Sequence, residues 1–212
     1  AGAGEGSTLA VTMLDVSPDG QWLATCDLNA VVHVFSLQGD VYHTTLPTLP
    51  ARMTCMRFVP TLSMSHELVC VTAENRFYIF DVEACRLTDW SRQFHAAIPA
   101  NLLNFPLHIM GVAFSPSTQG SFLLQGPSFL CNIDLEKLAA NASVGPSDDK
   151  SKKRKWSKQA PPHDDGCRML HKYGPVLGAE YLSAGNLVIV ELQWLQVLEQ
   201  LGGTYYRKRY GK

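Results

Sequence analysis

The chain has no Cys-x-x-Cys pair, no His at a zinc-finger spacing, no apolar run of membrane-spanning length and almost no net charge. Each absence removes a class of function. Cys26, Cys55, Cys70, Cys85, Cys131 and Cys167 are scattered, so no metal site is expected. Most of them lie in apolar runs such as "ELVCVTA" around Cys70, where a thiol acts as a small hydrophobe, which points to a reducing, intracellular setting. The opening "AGAGEGSTLA" has neither a charged n-region nor an apolar h-region. A soluble, non-secreted protein with no membrane association is expected, with residues 1–8 as a linker. No Gly-rich turn follows a strand and opens a helix, and there is no nucleophile elbow or paired-carboxylate spacing. Neither a cofactor nor a catalytic centre is therefore expected, and the chain reads as non-enzymatic.

What is present is apolar: 46% of 212 residues, enough to bury a core over most of the length. The formal charge of −1 hides a segregation, because ten of the 18 Lys and Arg residues lie in 150–158 (KSKKRKWSK) and 205–212 (YYRKRYGK). The other eight face all 19 carboxylates, leaving the rest of the chain at −11. An acidic body with two basic appendages makes any polyanion contact through the appendages.

The strongest signal is internal repetition. "VTMLDVSPDGQWLATCDLNAVVHVFSL" from Val11, "MTCMRFVPTLSMSHELVCVTAENRFYIFDV" from Met53 and "IMGVAFSPSTQGSFLLQGPSFLCNIDL" from Ile109 share one pattern of three β-type runs separated by turns. "VLGAEYLSAGNLVIVEL" from Val176 carries only its first half. In the first unit the strands are expected at 11–16, 22–26 and 31–37, with 41–46 as a fourth. The tetrapeptide Ser17-Pro18-Asp19-Gly20 supplies a turn, with φ preset at Pro18 and a permissive Gly20. Inner runs such as Val31–Phe35 and Phe77–Phe80 are almost wholly apolar, as strands buried on both faces require.

Val16 and Phe58 occupy matching positions about 42 residues apart, within the range of about 40–45 seen for WD repeats. The following steps to Phe114 and Tyr181 are longer, because "DWSRQFHAAIPANLLNFP" extends one connection and 138–166 inserts a segment of disordered composition. Phe35-Ser36, Phe80-Asp81 and Ile133-Asp134 stand where a WD repeat closes its third run, without the Trp. The expected fold is all-β: a WD-repeat β-propeller of about three full blades (9–137) and a partial one (167–193), the C-terminal part of a larger propeller, with a short helix and basic tail at 194–212. A β-sandwich is the competing architecture. Three blades and a fraction cannot close a ring of roughly four to eight, so missing blades must come from the rest of the same protein.

Within this frame Asp27 is expected to tie the turn before the third run, and His33 to be a hydrogen-bonded core residue. The stripe Val190, Trp194, Val197, Leu198 and Leu201 has helical spacing. Lys152, Lys153, Arg154, Lys155 and Lys158, with Trp156 among them, read either as a nuclear-localisation signal or as contacts to RNA or a partner. Arg207, Lys208 and Arg209, interleaved with tyrosines, have the composition of an RNA- or protein-contacting tail.

Several segments are also recognisable. "VSPDGQWLA" with "VVHVFSL", "LTDWSR" at 87–92, "FSPSTQGSFLLQGPSFLCNIDLEK" and "YGPVLGAEYLSAGNLVIVELQW…VLEQLGGTYYRKRYGK" resemble, in order along 9–212, the C-terminal region of the cirhin (Utp-four) family of tandem-propeller WD-repeat proteins. "TDWSR" and the basic tail are the specific parts of the likeness. "GGTYYRKRYGK" departs from the family's Pro- and Lys-rich ending. The resemblance implies a nucleolar scaffold of the small-subunit processome, in ribosome biogenesis. Its implied partners are the other UtpA subcomplex proteins and pre-rRNA, and indirectly the U-three small nucleolar ribonucleoprotein. A WD-repeat peptide-binding adaptor of another nuclear pathway is the alternative.

Overall fold

A computed structural model describes residues 10–39, 41–60, 66–116, 118–143, 166–172, 174–183 and 185–192. The first repeat forms a four-stranded antiparallel meander: β1 (Val11–Val16), β2 (Trp22–Asp27), β3 (Val32–Ser36) and β4 (Val41–Thr45). The second repeat does the same with β5 (Met53–Phe58), β6 (Glu67–Thr72), β7 (Phe77–Asp81) and the two-residue β8 (Arg86–Leu87). The third orders β9 (Gly111–Phe114), β10 (Ser121–Gln125), β11 (Phe129–Asp134) and β12 (Cys167–His171). A hairpin of β13 (Val176–Tyr181) and β14 (Leu187–Glu191) completes the array.

The sheets radiate from one axis. First strands lie side by side, β1 against β5, β5 against β9 and β9 against β13. Val16, Phe58, Phe114 and Tyr181, the matching positions of the repeat, each end such a strand, and the Phe-Ser, Phe-Asp and Ile-Asp pairs each end β3, β7 and β11. The result is the fan of a partial WD-like propeller, not a two-layer sandwich.

Strict alternation explains the core. On β6, Leu68 and Cys70 pack towards the first sheet, whereas Val69 and Val71 pack towards the third. On β7, Tyr78 and Phe80 point one way and Phe77 and Ile79 the other. A strand buried on both faces thus shows no polar period, the pattern read in the sequence. Ala113, Leu123, Leu130 and Val176 form the last interface, between the third sheet and the hairpin. The two ends of the array are different. Leu14 and Tyr42 on the outward face of the first sheet are 66% and 51% exposed, and Leu177, Val188 and Val190 are exposed on the hairpin.

Local chemistry sets the turns. Ser17 Oγ accepts from the Trp22 N–H at 2.9 Å and donates to Asp19 Oδ1, the Gly20 N–H reaches the Ser17 carbonyl at 2.8 Å, and Gly20 takes φ +71°. At the β10–β11 turn, a Cβ on Gly126 would lie 1.9 Å from the Phe129 ring, so only glycine fits.

Three expectations are corrected. Residues 167–171 do not begin the partial last blade; they are β12, the outer strand of the third sheet. The intervening insertion separates this strand from β11, so the sequence pattern of the third unit ended one strand early. Residues 138–143, expected to start the insertion, belong to helix α3 (Leu135–Ser143), and Leu138 is buried in the core. His33 is hydrogen-bonded as expected but lies on the outward face of the first sheet, half-exposed, opposite Thr25 and Thr45.

The long second connection folds into α1 (Asp89–Phe94), a 3-10 turn at His95–Ala97 and α2 (Ala100–Leu103). "LTDWSR" is its anchor. Thr88 caps α1 by accepting from the Ser91 N–H, and the buried Ser91 Oγ accepts from the Ile79 N–H at 2.7 Å. Trp90 stacks on Phe77 at 5.4 Å and donates Nε1–H to the Leu135 carbonyl at 3.0 Å, tying the second sheet to α3 beside the third. Residues 1–8, the basic run, the helix expected beyond 192 and the basic tail lie outside the described residues.

Candidate functional site

Around the axis, polar side chains are spent on joining sheets. Asp15 Oδ2 accepts from the Phe58 N–H at 2.7 Å, linking the first sheet to the second. Arg57 Nη1 donates to the Val112 carbonyl at 3.0 Å and pairs with Glu180 at 2.6 Å, reaching from the second sheet across the third to the hairpin. Gln125 Oε1 accepts from the Ala179 N–H at 2.9 Å. These groups have partners in the fold itself.

At one end of the axis the β2–β3, β4–β5 and β6–β7 turns and the segment before β9 enclose an open hollow of about 780 Å³. Leu28, Arg52, Leu107, His108 and Met110 line it, with Met53 at its floor. Leu28 is 61% exposed and Met110 57%. Asp27 borders the hollow but is committed to its own turn, Oδ1 accepting from the N–H groups of Asn29 at 2.8 Å and Val31 at 3.0 Å, as the sequence reading expected. The Val31 bond, set against burial and joined by His33 and the Asn29 N–H, holds its carboxyl below the usual range. Ala30 completes this turn at φ +62°, in the left-handed region.

The opposite wall is fixed by a residue that pattern reading missed. Asn75, 1% exposed and at φ +57° in the β6–β7 turn, shares its Nδ2 hydrogens among the carbonyls of Leu102, Phe105 and Leu107 at 3.0–3.3 Å. Its Oδ1 accepts from the Ile109 N–H at 2.9 Å. One side chain therefore pins the segment carrying Leu107, His108 and Met110. The available signal was an Asn between two apolar runs, where turns favour it for tolerating positive φ.

At the rim between the first two sheets, His66 Nε2 lies 2.5 Å from Asp19 and Nδ1 2.8 Å from Glu83. Two carboxylates on two ring nitrogens require two N–H donors, hence the imidazolium. Burial opposes that charge, but the bonds to Asp19 and Glu83 outweigh it and raise the pKa. Ser17 first, then His66, hold Asp19 down at about 2. Among the described residues, no group of three or more His, Cys, Asp or Glu is arranged to hold a metal. Lys152, Lys153, Arg154, Lys155, Trp156, Lys158, Arg207, Lys208 and Arg209 lie outside the described residues. The stem of the first group is described: the insertion leaves from α3 and returns at Gly166, whose carbonyl accepts from the Asp134 N–H at 2.8 Å.

No family model matches the chain. It is 26% identical over 210 residues to the U3 small nucleolar RNA-associated protein 4 homolog of Mus musculus, and 25% over 213 residues to that of Homo sapiens. Each alignment covers 97% of this chain. The U3 small nucleolar RNA-associated protein 4 of Schizosaccharomyces pombe is 24% identical over 220 residues, covering 95%. The chain spans about 30% of the length of these relatives. The likeness first carried by "LTDWSR" and the propeller repeats is thus borne out along nearly the whole chain: it resembles the cirhin family, the homologues of U3 small nucleolar RNA-associated protein 4.

Proposed function

We propose that this chain is part of a non-enzymatic scaffold in ribosome biogenesis, acting in the nucleolus on assembly of the small-subunit processome, pre-rRNA transcription and 18S rRNA processing. The observation that carries the reading is similarity over 95–97% of the chain to three relatives named for association with U3 small nucleolar RNA. The architecture supports it: stacked sheets offer broad rims and open ends, and the axial carboxylates and Arg57 are spent on inter-sheet bonds. In this reading the outward apolar face of the first sheet is covered by further blades of the same protein. The other UtpA subcomplex proteins bind the propeller surfaces, and the U-three ribonucleoprotein is met indirectly. The basic groups Lys152, Lys153, Arg154, Lys155 and Lys158, with Arg207, Lys208 and Arg209, contact pre-rRNA phosphates or direct nuclear import.

Ultraviolet cross-linking of the tagged full-length protein in cells tests this. Recovery of pre-rRNA, reduced when Lys152, Lys153, Arg154 and Lys155 are changed together to Ala in protein that still reaches the nucleolus, is the expected result. Co-purification of modification enzymes with no pre-rRNA and no processome proteins would replace this reading with the adaptor one.

A further inference from the structure

We infer that Cys131 and Cys167 are a reversible redox pair, which a hydroperoxide converts into a disulfide stapling the outer strand β12 to β11. The inference goes beyond the scaffold reading and does not depend on it.

Three observations carry it. First, the two sulfurs touch: Sγ to Sγ is 3.2 Å, between residues 36 positions apart in the chain. Cys131 stands opposite Met169 and Cys167 opposite Ile133, so the pair is a diagonal on one face of the third sheet, the face that packs on the second. A disulfide bond is about 2.05 Å long, so the sulfurs need to approach by only about 1 Å. Among the described residues the other four cysteines make no sulfur–sulfur contact. Cys85, half-buried with its Sγ 3.4 Å from His43 Nε2, can be oxidised but has no second sulfur to meet.

Second, the stapled strand is weakly held. β12 is the edge of its sheet, and Cys167 alone among its residues is buried, with Arg168, Leu170 and His171 exposed. Little burial opposes its opening, which admits a small oxidant to thiols that are 0% and 6% exposed. On closing, Gly166, whose carbonyl accepts from the Asp134 N–H at 2.8 Å, returns Cys167 to register beside Cys131. Third, the product suits its surroundings. A disulfide is apolar and needs no hydrogen-bond partner, whereas a sulfenic acid left in this core would bury a polar group.

The chemistry takes two steps. Cys167, at the start of the edge strand, gives up its proton and attacks one oxygen of hydrogen peroxide. An S–O bond forms, the O–O bond breaks, and the departing hydroxide takes the proton as water. The Cys131 sulfur then attacks the sulfenyl sulfur: an S–S bond forms, the S–O bond breaks, and the hydroxide leaves with the second thiol proton as water. Two thiols have lost two electrons, and one peroxide has become two waters. Two equivalents of a small thiol reverse the reaction by successive exchange and end as a disulfide themselves.

Limited oxidation of the reduced full-length protein with hydrogen peroxide tests the pair, with remaining thiols blocked by N-ethylmaleimide and an unreduced digest read by mass spectrometry. A linked Cys131–Cys167 peptide is expected, and dithiothreitol should restore both thiols. Hydrogen exchange across β12 should slow by about tenfold or more in the linked protein, because detachment of the strand is blocked. In Cys131→Ser, Cys167 should instead be trapped as the dimedone adduct of its sulfenic acid, and Cys85→Ser should leave the linkage unchanged. No linked peptide at a peroxide dose that oxidises Cys85, linkage formed as readily in urea-unfolded protein, or unaltered exchange across β12 in the linked protein would each overturn the inference.

Discussion

At the scale of single residues, Asn75 does the most with one side chain. Asn75→Ala removes four hydrogen-bonding contacts at a buried position and places a residue less tolerant of positive φ at +57°. Its local cost is about 2–4 kcal/mol. Hydrogen exchange of the peptide containing the Ile109 amide should accelerate by roughly 30- to 1,000-fold in the full-length protein, with the β1–β2 amides little changed. His66 gives a pH dependence. Its pKa is raised by folding, so the stability it contributes is complete below the free imidazole value of about 6.5 and is lost as pH rises through the raised value. Asp19, held at about 2, remains ionised throughout and adds no slope there. Protection factors in the Ser17–Gly20 turn, with the intrinsic base-catalysed rise of exchange removed, should therefore be higher at pH 6 than at pH 8.5, and His66→Gln should flatten the difference. An unchanged profile in His66→Gln would show that His66 is not the group responsible.

At the scale of elements, the turns decide which strands meet. Ala30 occupies a left-handed position at φ +62° where glycine carries no Cβ penalty. Ala30→Gly should raise the stability of the β2–β3 hairpin by about 1 kcal/mol, read as slower local exchange. The matching change at β10–β11 goes the other way: Gly126→Ala drives a Cβ into Phe129 and should destabilise the third sheet by about 2 kcal/mol or more. These elements also show what was legible beforehand. The four strands of the first unit were readable within a residue or two, because Ser17-Pro18-Asp19-Gly20 and the Asp27 turn punctuate apolar runs with local chemistry. The outer strand β12 was assigned to the wrong unit because its partner β11 is separated from it by an insertion, and pairing across such a gap leaves no local trace. The helices at 89–103 are each no longer than six residues, too short for periodicity, and are held by Trp90 and Ser91 through tertiary contacts. The candidate site divides the same way. Asp27 was readable from its turn, whereas the hollow of Leu28, Arg52 and Met110 exists only once three connections meet.

At the scale of the whole molecule, the account rests on radial stacking. Second-sheet strands buried on both faces require neighbours on both sides, and they have them. Among the described residues the first sheet has one neighbour, with Leu14, Val16 and Tyr42 exposed on its other face, which is where the proposed further sheet would pack. A structure of the full-length protein by electron cryomicroscopy is the most direct test. The account predicts β1, β5, β9 and β13 arranged around one axis, with another four-stranded sheet of the same polypeptide covering Leu14 and Tyr42. Two sheets packed face to face without a common axis, or Leu14 and Tyr42 left open to solvent in the intact protein, would contradict it.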